Sequence, residues 1–225
     1  MLTAKEKLEA MTLLGVELNQ IQDLDILLER ILTRARQFAN ADAGSIYIRH
    51  KDHLHFTYTQ NDTIQRRSGK NGKLIYSRFI IPIDQFSIAG YVALTGFALN
   101  IPDVYRIDAT KPYQFSTKFD EASEYKTRSV LTIPLKAAKG DISGILQIIN
   151  AQDSEKHIVD FSENDEGMMN HFASIASVAL ERAQMTRSIF LRMIRMAELR
   201  DPRETSAHVH RVAGYSVEIY EKWAQ

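Results

Sequence analysis

The sequence contains no cysteine. Disulfides, thiolate nucleophiles, Cys-ligated zinc and thioether-linked chromophores are therefore excluded, and the lack fits a reducing, cytoplasmic setting. No charge of one sign is in excess: 28 Lys plus Arg balance 28 Asp plus Glu over 225 residues. Phosphate binding along a nucleic acid runs on clustered positive charge. The arginines at 66, 67, 187, 192 and 195 are too scattered to supply it, so nucleic acid is not expected as a partner. No apolar run approaches the roughly 18 residues a membrane span needs, so no membrane contact is expected in this segment. The opening MLTAKEKLEAM carries charge inside its apolar pattern and reads as an amphipathic helix, not a signal peptide. What is present, 44% hydrophobic and 25% charged residues, suits one folded domain of ordinary size plus an appendage.

The periodicity changes along the chain. Leu2, Leu8, Met11, Leu14 and Leu18 fall at helical spacing. A second helix follows Asp23, a suitable N-cap, with Leu27, Leu28, Ile31, Leu32, Ala35 and Phe38 as its buried stripe. Period two then takes over. SIYIRH after Gly44 and HLHFTYTQ after the turn Lys51-Asp52 predict a hairpin in which Leu54, Phe56 and Tyr58 share one buried face. Residues 61–73 read as a polar loop and YSRFIIPID as a third strand with Pro82 near its end. Ser87 and Gly96 bracket a short helix, IAGYVALTG. Residues 99–126 show no period, and a stretch of that length inside a compact domain is often functional. RSVLTIPLKA and SGILQIINA alternate as strands around a turn at Lys139-Gly140-Asp141. From Ser162 a helical pattern runs to about Arg200, with Met168, Phe172, Ile175 and Ala179 and then Ile189, Met193 and Met196 as its stripe. Asp201-Pro202 ends it. Helices of this length usually find a partner helix, which predicts a homodimer through the N- and C-terminal helices. The whole is an α+β fold, a central antiparallel sheet with helices segregated on one face.

Several of these segments, taken in order, resemble a known family. YKTRSVLTIPLKAAKGDISGILQIIN is similar to the last two sheet strands of GAF domains, especially those of cyclic-nucleotide phosphodiesterases. The signature of that subgroup runs Asn-Lys, a gap, then Phe, three residues and Asp-Glu; here Asn150, Phe161, Asp165 and Glu166 match it, and Ala151 stands at the lysine position. In the family that lysine is thought to pair with the aspartate, Asp165 here. The tail, LRDPRETSAHVHRVAGYSVEIYEKWA, resembles the opening of HD-GYP domains, which hydrolyse cyclic di-GMP. There His208 would be the first metal ligand, and the sequence ends before the His-Asp pair and further ligands of such domains. The resemblance thus implies a sensor domain over 1–185, a linker helix over 186–200 and the start of an HD-GYP-type domain over 201–225. It implies a chain without catalysis of its own or a cofactor. A longer parent would carry a divalent metal, Fe or Mn, and act as a phosphohydrolase.

GAF ligands lie between the sheet and the loop-helix layer after the third strand. The resemblance therefore makes Ser45, Asp103, Tyr105, Phe115, Phe119, Thr127, Arg128 and Ser129 the pocket candidates for an unknown small molecule, with a cyclic nucleotide among the possibilities. The aromatic rings would stack on it while Asp103, Thr127 and Ser129 direct hydrogen bonds. Arg128 would neutralise an anionic ligand or pair with Glu124 on the surface. Asp165 and Glu166, just after Ser162, favour a helix start. His50, His53 and His55 crowd the hairpin; His53 and His55 share a strand face at a spacing that suits a metal, but a polar outer face accounts for them.

Overall fold

The computed structural model describes residues 13–68, 80–138, 140–200 and 206–223. The chain forms two compact units, Met1–Ala183 and Gln184–Gln225. In the first, helix α1 is described over 13–20 and α2 spans Leu24–Phe38. Strands β1 (Ala41–His50) and β2 (His53–Asn61) form a hairpin, continued directly by helix α3 (Asp62–Ser68). Then come β3 (Ile80–Pro82), α4 (Ile88–Thr95), β4 (Leu99–Ile101), a 3-10 turn (Val104–Arg106) and α5 (Lys118–Ser123). Strands β5 (Val130–Lys136), β6 (Ile142–Gln152) and β7 (Ile158–Val159) lead into α6 (Glu163–Arg200). The second unit holds the last part of α6 and α7 (Ser206–Trp223). Asp201-Pro202, expected to stop α6, lies outside the described residues, as do residues 76–79 of the third-strand motif and the Lys139 of the predicted turn.

Sequence chemistry sets the ends of the helices. Asp23 Oδ1 accepts from the backbone N–H groups of Asp25 and Ile26, and Ser87 Oγ accepts from Gly90 N–H, so each of these two helix starts is capped by a side chain. Gly96 closes α4 at φ 73°, a left-handed geometry that glycine adopts without strain.

The sheet runs β3-β2-β1-β6-β5-β4, with β7 paired to β6, and these strands pair antiparallel throughout. Proline falls on β3, an edge strand, where a missing N–H costs no ladder bond. Its two faces carry different layers. On one, Ile46, Leu131, Ile133, Leu135, Leu146 and Ile148 pack against α1, α2 and α6 through Leu18, Leu28, Ile31, Leu32, Phe172 and Leu180. On the other, here called the inner face, Tyr47, Leu54, Phe56 and Ile145 meet Ala89, Val92 and Ala93 of α4, while Val130 and Ile101 meet Ile88, Val104 and Tyr113. The split of β6, Leu146 and Ile148 to the helix layer and Ile145 and Ile149 inward, follows its alternation.

The expected hairpin face needs correction. Leu54 and Phe56 face inward, whereas Tyr58 packs on the helix layer. The cause is a bulge: Ile46 pairs with Tyr58 and Tyr47 with Phe56, which leaves Thr57 as the extra residue and flips the alternation beyond it. Two further expectations change. Residues 62–68 are helical, not loop, and the aperiodic stretch 99–126 contains β4, the 3-10 turn and α5. Elements of three to seven residues are too short for a hydrophobic period to develop.

Candidate functional site

The pocket candidates do not converge on one point; they fall into three places. The first centres on a residue that sequence reasoning missed. Asp120 of α5 is buried, and its carboxylate accepts three hydrogen bonds, from Tyr105 Oη (2.8 Å), Thr127 N (2.7 Å) and Thr127 Oγ1 (2.8 Å). Tyr105 stacks edge-on against Phe115 at 5.5 Å between ring centroids, and Lys126 Nζ lies 5.7 Å above the tyrosine ring. Asp103 holds the turn, accepting from Tyr105 N (3.0 Å) and pairing with Arg106 at 3.4 Å. Asp103, Tyr105, Phe115 and Thr127 are thus brought together, with Phe119 one residue from the hub. By accepting the hydrogen bond of the phenol, Asp120 raises the Tyr105 pKa to about 12. Tyr105 therefore remains a neutral donor throughout the physiological range.

Arg128 and Ser129 belong elsewhere. Arg128 pairs with Asp160 (3.2 Å) and donates to Ile158 O (3.0 Å), so the expected partner Glu124 is incorrect. Ser129 Oγ donates to Val159 O (2.7 Å) and accepts from Ala151 N (3.2 Å). Both side chains fasten β7 to the sheet rim and do not reach toward Tyr105. The physical reason is the pairing of β5 and β6 behind them, which ends at Val130 and Ile149 and leaves these neighbours free to bridge outward.

Ser45 marks the third place, the centre of the inner face. Its hydroxyl lies 3.2 Å from Thr59 Oγ1, and Thr59 donates to Gly44 O at 3.0 Å. Next to it Tyr47 Oη donates to Gln147 Oε1 (3.2 Å), and Gln147 Nε2 donates to Thr132 Oγ1 (3.0 Å). Five neutral polar side chains from β2, β1, β6 and β5 therefore form a strip across the sheet. Ser45, Tyr47 and Thr132 are buried, while Thr59 and Gln147 remain partly open to solvent. Only Ser45 of this strip was foreseen. The signal available was polar residues at inward positions of otherwise apolar strands.

The signature residues do structural work of a kind readable atom by atom. Asn150, fully buried at φ 55°, accepts from Arg128 N (2.7 Å) and donates to Lys126 O and to Tyr125 Oη (2.9 Å each). Tyr125 Oη donates to Asp42 Oδ2 at 3.0 Å, and Arg66 reaches Asp42 Oδ1 at 3.4 Å. Burial first, and then the Asp42 carboxylate, push the Tyr125 phenol above its ordinary value. Arg36 of α2, buried although charged, donates to Asp42 O and Gln60 Oε1 and pairs with Asp62. Phe161 sits in the main core.

Asp165 has no lysine to meet, since Ala151 is buried against Ala41 and Val159. It caps α6 instead: Ser162 N and Oγ both donate to Asp165 Oδ2 (3.0 and 2.7 Å), and Asp165 N donates back to Ser162 Oγ (3.1 Å). Ser162→Ala is expected to lower stability by about 1 kcal/mol in urea unfolding, the usual worth of such a cap, with the oligomeric state unchanged. Glu166 borders a separate groove of about 620 Å³ that also touches Phe97, Lys136, Asn170 and Val178 and contains none of the pocket candidates.

His208 lies on α7, but its side chain is outside the described part. Among the described residues no three His, Asp or Glu side chains gather as a metal site, and no helix is long and apolar enough to cross a membrane. His53 and His55 are exposed on the outer side of β2, in keeping with a polar outer face.

Comparison with known proteins places these features. The family model for the GAF domain matches residues 23–180, and the chain belongs to that family of sensor modules in signalling proteins. A dual 3',5'-cyclic-AMP and -GMP phosphodiesterase 11 of Drosophila melanogaster is 30% identical over 63% of this chain and 9% of its own length. A cGMP-specific 3',5'-cyclic phosphodiesterase of Drosophila pseudoobscura pseudoobscura is 29% identical over 72% of this chain and 14% of its own length. This chain therefore spans only a small part of these relatives. Among solved structures, the GAF domain of a phosphoenolpyruvate-protein phosphotransferase from Coxiella burnetii superposes with a TM-score of 0.62 at 18% identity, over 83% of this chain and 99% of its own. A GAF domain/HD domain protein from Geobacter sulfurreducens gives 0.53 at 11% identity, over 75% and 98%. Likeness at that identity speaks for the fold.

Proposed function

We propose that this chain senses a small molecule on the inner face of its sheet and regulates, through a helical homodimer, an HD-GYP-type cyclic di-GMP phosphodiesterase domain of a longer cytoplasmic parent. The observation that carries the sensing part is the strip Thr59, Ser45, Tyr47, Gln147 and Thr132. Directed, uncharged hydrogen-bonding groups set within apolar walls are what a small-molecule site requires. Ile88, Val130 and Ile149 supply such walls beside it. The amide of Gln147 retains a second N–H and a second lone pair, which suits it to read the edge of a nucleobase. A cyclic nucleotide is accordingly the first ligand class to test, in line with the names of the phosphodiesterase relatives.

Support for the dimer comes from apolar residues on the helices. In the second unit Met185, Ile189, Phe190, Leu191, Met193, Ile194 and Met196 of α6 are 50–69% exposed. In the first, Leu13 and Val16 of α1 are exposed. Apolar surface of this extent on a helix favours a partner helix. The parent's output rests on the sequence of the tail, where Asp201-Pro202, Thr205, His208, Arg211 and Val212 follow the HD-GYP opening. An Fe or Mn ion would belong to that domain, with His208 as one of several ligands. One histidine does not make a transition-metal site, so no chemical step is assigned to this chain.

The test is a melting series with cyclic AMP, cyclic GMP and cyclic di-GMP. A ligand at about 100 times its Kd stabilises by about 2.7 kcal/mol, a rise of about 5–11 °C for a domain of this size. No rise with any of them, in a protein that still dimerises, leaves a degenerate GAF module that only associates. Ala151 in the lysine position favours that second reading. Absence of cyclic di-GMP turnover by the parent with Mn or Fe removes the HD-GYP part and leaves the sensing part standing.

A further inference from the structure

The hairpin between β1 and β2 carries three histidines at its tip. His50, the last residue of β1, pairs directly with His53, the first of β2. Residues facing one another across a ladder point to the same side, as do residues two apart on a strand. His50, His53 and His55 therefore share the outer side of the sheet, opposite Leu54 and Phe56. All three are exposed, and none of their imidazole rings is engaged in a hydrogen bond or ion pair among the described residues. The rings of His50 and His55 lie 5.3 Å apart between centroids, tilted by 55°.

That separation has a chemical meaning. An imidazole nitrogen lies about 1.1 Å from its ring centre and binds a metal at about 2.0–2.1 Å, so two imidazoles on one tetrahedral ion have centres about 5.2 Å apart. The rings already stand at this distance without any ion. The strands also hold them there: the Lys51-Asp52 turn, with Lys51 at φ 56°, fixes the register, and Ile83 N–H bonds Asp52 O at 3.0 Å to tie the turn to the neighbouring segment. Little chain entropy remains to be lost on binding.

We infer that His50 and His55 form a two-imidazole surface site for a transition-metal dication, completed by water. Imidazole donors select Cu²⁺, Ni²⁺ and Zn²⁺ over Mg²⁺ and Ca²⁺, and Cu²⁺ binds most tightly of the three. This site is independent of the inner-face strip and of any metal in the parent's catalytic domain. Among the described residues a competing place is His157, whose Nδ1 lies 3.3 Å from Asp153 Oδ2 and 3.6 Å from Glu155 Oε2.

The experiment titrates the tag-free, isotopically labelled full chain with Cu²⁺ below one equivalent and reads paramagnetic broadening of the imidazole signals. Broadening is expected first at His50 and His55. Calorimetry with Zn²⁺ then gives the affinity. Loss of even an outer-shell partner weakens a metal site about 10–100-fold, so His50→Ala and His55→Ala are each expected to weaken Zn²⁺ binding by at least about tenfold. His55→Gln, which keeps size and polarity, is expected to lose the ion equally, and His157→Ala to change nothing. Circular dichroism checks that the variants fold. Broadening that begins at His157 or elsewhere, or unchanged affinity in His50→Ala and His55→Ala, overturns the assignment.

Discussion

Phe172→Ala is expected to lower the stability of the first unit by about 3–5 kcal/mol, the cost of emptying a large aromatic site in a packed core. The corresponding fall in melting temperature is about 6–20 °C for a domain of this size. Phe172 is fully buried on α6 and stacks at 6.0 Å and 56° on Phe38, the last residue of α2. It is surrounded by the leucines and isoleucines of α2, β5 and β6, so the space it leaves is lined on several sides by branched side chains that are themselves held in place. Phe172→Leu recovers most of the volume and is expected to cost less than half as much. Chemical unfolding monitored by the Tyr signal at 25 °C separates the two. Equal losses in both variants would mean that the ring, and not the volume, carries the contact.

Asn150→Ala is expected to cost about 3 kcal/mol and about 6–12 °C in melting temperature. The side chain meets three partners at once, and its removal leaves Arg128 N, Lys126 O and Tyr125 Oη to find others in a buried place. Unmet buried groups cost about 1–3 kcal/mol each before relaxation. Backbone strain adds to this, because φ 55° suits asparagine and glycine better than alanine. Asn150→Gly distinguishes the two causes: it removes the bonds and tolerates the backbone. The hydrogen-bond account has glycine nearly as damaging as alanine. A glycine variant as stable as the parent would assign the effect to the backbone alone. Because Asn150 and Tyr125 together hold the 125–128 segment against Asp42 of β1, faster amide exchange there should accompany either loss.

The fold was legible wherever one period ran for long enough. β5 and β6 turn Leu131, Ile133, Leu135, Leu146 and Ile148 to the helix layer in regular alternation, the first half of α6 meets them with Met169, Phe172, Ala176 and Leu180, and the caps at Asp23, Ser87 and Gly96 carry their usual chemistry. It was not legible where a local event resets the pattern. The bulge at Thr57 sends Tyr58 to the face opposite Phe56, although both continue one alternation in sequence. Asn150 turns left-handed inside an apparently regular strand, and in doing so brings Ala151 to the helix layer. The site was harder still. Arg36, Asp42 and Asp120 are buried charged residues whose partners lie 6 to 83 positions away, so nothing nearby in sequence distinguishes them from solvated ones. Arg128 and Ser129 were adjacent to true inward positions but beyond the last pair of β5 and β6, where alternation no longer fixes direction.

The central claim is that the strip on the inner face is where this module holds its ligand. The direct measurement is a titration of the isotopically labelled chain with whichever cyclic nucleotide raises the melting temperature most, following backbone amides and the Gln147 side-chain amide. The largest shifts are predicted at Ser45, Thr59, Thr132 and Gln147. Shifts concentrated instead around Phe97, Lys136 and Asn170, which border the groove beside α6, would contradict it.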